Sequence, residues 1–113
     1  MRFLLLACLY LTGCISSQIF STYPYQLHKD FEYENINFVI IDRSDLKKVF
    51  IRPTAIGGAF SLGSKKSAIG NDGVMELEKQ VLIEFFENQN KKCQFNNGKE
   101  LANVQFEFDY TCK

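Results

Sequence analysis

The 113-residue chain has no tryptophan, one histidine, two prolines and no excess of either charge, its 13 basic side chains matching 13 acidic ones. Each shortage removes a class of reading. A balanced chain lacks the basic stripe by which nucleic acid is bound. The single histidine, His28, has no second His and no Cys or acidic partner at ligand spacing, so no zinc set is assembled. It also leaves no base for an ordinary Ser-His-Asp triad, and no GxSxG elbow is present. A phosphate loop is missing too: Gly63-Ser64-Lys65-Lys66-Ser67 places a serine before the lysines, and position 59 is Ala where the first glycine belongs. Asp42, Asp45, Asp72 and the glutamates are not brought to a defined separation by any spacing, as glycan cleavage by paired carboxylates would require. The expectation is a protein that is not an enzyme, holds neither metal nor cofactor, and does not bind nucleic acid. Nor does any apolar run reach the roughly 20 residues of a membrane-spanning helix.

What is present at the start of the chain is an address. Met1-Arg2 is a minimal positive segment and Phe3 to Leu11 is an almost unbroken apolar run, the proportions of a signal peptide. Leu11-Thr12-Gly13-Cys14 follows, and it resembles the lipobox of bacterial lipoproteins: a branched aliphatic, two small residues and a cysteine. The small residues admit the backbone to the signal peptidase, and the thiol takes a diacylglyceryl thioether before cleavage frees the amine for a further acyl chain. The resemblance implies removal of residues 1–13 and an S-diacylglycerol, N-palmitoyl Cys14. Two or three chains, at about 0.8 kcal/mol per buried CH₂, anchor stably where one would not. Ile15 stands where an Asp would retain such a protein at the inner membrane. The resemblance therefore implies the outer membrane, facing the periplasm.

Of the four cysteines, Cys8 leaves with the signal and Cys14 carries the lipid. Cys93 and Cys112 are left as an even pair in a compartment that permits disulfides, two free thiols being the alternative. Residues 14–30 hold Ser16, Ser17, Ser21, Thr22 and Pro24 without a clean period and read as the lipidated cysteine and a tether. Tyr23-Pro24-Tyr25 in that stretch is expected to lie against the domain or the lipid headgroups.

Residues 31–113 read as one domain. Phe31 and Tyr33 alternate with Glu32 and Glu34, Ile36 to Ile41 is apolar enough for a strand covered on both faces, and Val49-Phe50-Ile51 offers the return arm of a hairpin. The Gly-rich stretch from Ala55 to Ser64 reads as a twisted strand passing into a loop. Val74, Leu77, Val81 and Phe85, widened by Met75, Leu82 and Phe86, predict an amphipathic helix over about 72–90. Glu78 falls near the middle of that apolar face and is expected to reach the surface along its own stem. Asn96-Asn97-Gly98 signals a turn, and Val104, Phe106, Phe108 and Tyr110 alternate with polar residues in a closing strand. The fold expected is α+β: a small antiparallel sheet of four to five strands with one helix on one face.

Function is legible only coarsely. The first expectation is a membrane-anchored lipoprotein whose small periplasmic domain binds an unknown protein partner in an envelope complex. The alternative is an envelope inhibitor or exclusion protein, directed at a lysozyme, a toxin, or phage or plasmid entry, with Lys65-Lys66 on a loop tip entering an acidic cleft. A ligand carrier would need a deep apolar cavity beneath the helix.

Overall fold

The computed structural model describes residue 19, residues 21–54 and residues 58–113. Within them lie five strands, β1 (His28–Tyr33), β2 (Ile36–Arg43), β3 (Lys48–Pro53), β4 (Cys93–Ala102) and β5 (Gln105–Cys112), and one long helix, α1 (Gly58–Glu87). The fold is α+β, with a five-stranded antiparallel sheet in the order β1-β2-β3-β5-β4. The helix packs on one face.

The first three strands form a meander. Tyr33 pairs with Ile36, so β1 and β2 are joined by Glu34-Asn35 alone, both at positive φ (50° and 67°). A two-residue loop with that backbone matches the right-handed twist of its strands. The β2–β3–β5 register then puts Phe38, Ile40, Val49, Ile51, Phe106 and Phe108 on the face under α1, where all are buried. Val39, Ile41 and Phe50 point the other way and are buried as well, in a second, smaller cluster. That is why β2 carries an uninterrupted apolar run.

The helix differs from expectation at both ends. It begins at Gly58, so the Gly-rich stretch read as strand and loop is helical from there on. Leu62, fully buried, anchors that first part on the main core. Packing outweighs the weak propensity of small residues. Gly70, at φ 79° and ψ 176°, breaks α1 in the middle, a conformation only glycine adopts without strain. Beyond the break Val74, Val81, Leu82, Phe85 and Phe86 are buried as their spacing requires. The helix stops at Glu87 rather than near 90. Asn90, at φ 62°, closes it while the amides of Asn90 and Lys91 bond back to the carbonyls of Glu87 and Phe86.

Asn96-Asn97-Gly98 is not the expected turn. The strand continues through it as a bulge: Asn96 pairs with Asp109 and Lys99 with Glu107, leaving one extra residue on β4. Asn97 absorbs it at φ 54°. Gly98 is needed for a different reason, since a Cβ there would lie 2.6 Å from the Met75 sulfur and 2.8 Å from the Phe108 ring. The real turn is Asn103-Val104, between Ala102 and Gln105. Val104 sits at φ 54°, costly for a β-branched residue, yet its side chain is buried with the main core.

Cys93 and Cys112 face each other across β4 and β5 and form a disulfide. Cys112 keeps the inward phase of its strand but is exposed, whereas Cys93 packs against the core margin. With a sequence separation of 19, the cross-link contributes roughly 3 kcal/mol by restricting the unfolded chain. Replacing both cysteines by serine is expected to lower the unfolding free energy by that amount, read as a fall in the denaturant midpoint. Reduction of the unaltered protein should match the double variant.

Candidate functional site

Cys14 and the Leu11-Thr12-Gly13-Cys14 box lie outside the described residues. Cys93 and Cys112, the other site residues read from the sequence, are joined as expected.

The segment that precedes β1 is built into the fold. Tyr23, in the stretch expected to be a tether, packs on the sheet face opposite α1, and the chain enters β1 at His28. Tyr23 is only 1% exposed. Its ring stacks on Phe50 at 5.2 Å and its hydroxyl donates to Glu107 Oε2 at 2.7 Å. Burial first, and then the Glu107 carboxylate, push the phenol well above its ordinary range. The Arg43 guanidinium donates to the Thr22 carbonyl and also pairs with Asp45 at 2.9 Å. A short 3-10 turn, Tyr25–Leu27, leads to His28, whose ring stacks on Tyr25 and whose Nδ1–H donates to the Tyr25 carbonyl at 2.6 Å. His28 thus serves this local turn.

Between that segment and β4 runs a groove of about 310 Å³, lined by Ile19, Thr22, Tyr23, Lys99, Glu100, Leu101 and Glu107. Its mixed lining suits a peptide or a polar surface better than an apolar ligand. No signal in the sequence links its two walls, because Tyr23 and Glu107 lie at opposite ends of the chain.

Glu100 is the hub at one end of the groove. Its carboxylate accepts from Asn71 at 2.9 Å and from the Val104 amide at 3.2 Å, and lies 3.6 Å from Lys66 Nζ. The Asn71 hydrogen bond above all holds it below the usual carboxylate range. Lys66 also donates to Asn103 at 2.7 Å. The cluster clamps α1 to the β4–β5 turn and holds Val104 in its strained backbone. Lys65-Lys66 therefore stand on a helix, with Lys66 engaged, and not on the free loop tip that a cleft-entering inhibitor would present.

Glu78 overturns its expectation. It is fully buried, and neither carboxyl oxygen has a hydrogen-bond partner. Burial, with a smaller push from the Glu100 charge, raises its pKa to about 10. Its position beside Val74, Val81 and Leu82 on the apolar stripe signalled this; a Glu in the second turn behind Asn71-Asp72 suggested the surface. Counted from the break at Gly70, Glu78 is indeed in the second turn, but its phase between Val74 and Val81-Leu82 turns it into the core.

Among the described residues no group of His, Cys, Asp or Glu side chains is placed to hold a metal ion, and no helix is long and apolar enough to cross a membrane. Compared with protein-family models, with curated proteins and with solved structures, the chain matches none.

Two outcomes follow from the buried groups. From pH 4.5, the ordinary carboxyl value, up to about 10 the unfolded chain is ionised at position 78 while the folded chain keeps its proton, so stability falls as pH rises. At neutral pH the loss is about 3 kcal/mol. Glu78→Leu should recover about that much near neutrality and flatten the decline of the urea midpoint between about pH 5 and about pH 9. Tyr23→Phe, which removes only the bond to Glu107, should cost about 1–2 kcal/mol. Tyr23→Ala, which also empties the Phe50 contact, should cost about 3–5 kcal/mol by the same melts.

Proposed function

We propose that the chain is a lipid-anchored envelope protein, held at the outer membrane by acyl chains on Cys14 and carrying a small periplasmic domain that binds a protein partner in an envelope complex. The observation that carries the reading is the order of Arg2, the apolar run Phe3 to Leu11 and the Leu11-Thr12-Gly13-Cys14 box. The Cys93–Cys112 disulfide supports it, since such bonds persist in oxidising compartments. The burial of Tyr23 on the sheet supports it as well, because a domain that begins so near the proposed anchor is presented at the membrane surface.

The sheet edges favour the protein-binding role. β4 is blunted by two register shifts, but β1 pairs with β2 through six successive residues without one. Among the described residues no strand covers the outer edge of β1. A regular open edge accepts an added strand through its backbone groups. Asp30 and Glu32 alternate on one face of that edge and favour a basic segment.

Cys14→Ser is expected to abolish incorporation of labelled palmitate and to leave an unprocessed precursor, while the unaltered protein partitions into detergent. Labelled palmitate persisting in the variant, or unaltered protein recovered full length without detergent, would sink the reading.

A further inference from the structure

The outer edge of β1 carries a defined row of backbone groups. Tyr33 and Ile36 flank a two-residue turn, so they exchange both backbone hydrogen bonds, and so does every second pair from them, Phe31–Phe38 and Lys29–Ile40. The amides and carbonyls of Asp30 and Glu32 therefore face away from β2. The His28 amide is already bonded to the Tyr25 carbonyl, which leaves the His28 carbonyl at the start of the row.

The side chains along this edge sort by face. Lys29, Phe31 and Tyr33 share the α1 face with Phe38 and Ile40, where Phe31 and Tyr33 are half-buried against the margin of the main core. Asp30 and Glu32 stand on the opposite face and are exposed, and Glu34, exposed in the following turn, adds to the negative charge. Among the described residues Glu32 makes no ion pair and Asp30 meets only His28, at 3.9 Å. Arg52, two strands away on the same face, is turned to the Pro53 carbonyl at 3.1 Å. Just ahead of the strand, Tyr25 and Leu27 are exposed at 49% and 47%, large apolar surfaces beside the start of the row.

This pattern selects among occupants. A second copy paired about a two-fold axis would, in the registers that use most of β1, set Asp30 against Asp30 or Asp30 against Glu32, and like charges directly opposite are destabilising. An acidic segment meets the same repulsion. A basic strand meets attraction at every second position, and its intervening side chains fall beside Phe31 and Tyr33. We infer that β1 receives an extended basic segment of a protein partner as an added strand, with alternate lysines or arginines facing Asp30 and Glu32 and apolar residues between them. The inference rests on the protein-binding reading above and states the chemistry of the partner's segment. Palmitate labelling tests the anchor separately, so the two failures are told apart.

The probe is a short, end-blocked peptide alternating valine and lysine, titrated into the isotopically labelled protein as purified in detergent, with a valine–glutamate peptide as its counterpart. Amide exchange is followed by NMR. The expected result is saturable binding of the lysine peptide that slows exchange at the Asp30 and Glu32 amides, with little change at Lys29 and Phe31, whose amides already bond to β2. Asp30→Lys combined with Glu32→Lys, both at exposed positions, should weaken the lysine peptide about tenfold and gain binding of the glutamate peptide. No binding of the lysine peptide to the unaltered protein, binding that leaves those two amides unprotected, or equal binding of both peptides overturns strand addition at β1 and leaves the anchor standing. Slow exchange of both amides without peptide overturns it as well, by reporting a second copy where it depends on protein concentration and an edge closed by the chain itself where it does not.

Discussion

Val49 and Phe108 lie side by side at the centre of the sheet, where β3 meets β5. Among the described residues this is the only strand pairing that joins the amino-terminal meander to the carboxy-terminal hairpin. Its four residue pairs set nearly everything distant in the chain but close in space. The same register brings Glu107 beneath Tyr23, Asp109 to Lys48 at 2.7 Å and Tyr110 to Asp42. It also points Phe106 and Phe108 at the helix. Closing so long a loop is an entropic cost that only the completed core offsets, so the two halves stand or fall together.

That core is aromatic and tightly engaged. Phe86 makes edge contacts with Phe85, Phe95 and Tyr110, linking the end of α1 to β4 and β5. Against this packing Glu78 is an anomaly, a neutral acid without a partner. Leaving a polar group unsatisfied in a core costs more than a typical hydrogen bond contributes. The fold tolerates it because the surrounding apolar burial is extensive, and the result is a domain whose stability leans toward acid.

The two faces of the sheet serve different ends. One is closed by α1. The other is closed by the segment that follows the proposed lipid site, which stacks Tyr23 on Phe50 and then turns at Tyr25–Leu27 into β1. The same short stretch thus completes the second core and leads straight into β1. The β1 edge, which follows directly from that stretch, runs between the two ends of the sheet.

The sequence alone determined the α+β class, the amphipathic stripe of α1 beyond Gly70, the two-sided burial of β2 and the pairing of the two cysteines. Each rests on local pattern: a run of contiguous residues, a period of two or three and a half, or an even count of thiols. The start of α1, the site of the hairpin turn, the fate of Glu78 and the seat of Tyr23 were decided only in three dimensions. Asn96-Asn97-Gly98 carries a stronger turn signal than Asn103-Val104, but β5 pairs with β3 in the one register that buries Phe106 and Phe108, and the turn moved to suit it. The stretch from Gly58 up to the break at Gly70 became helical because Leu62 found the core. Tyr23 left the tether because Phe50 and Glu107, neighbours only through the β3–β5 ladder, gave its ring a surface and its hydroxyl an acceptor.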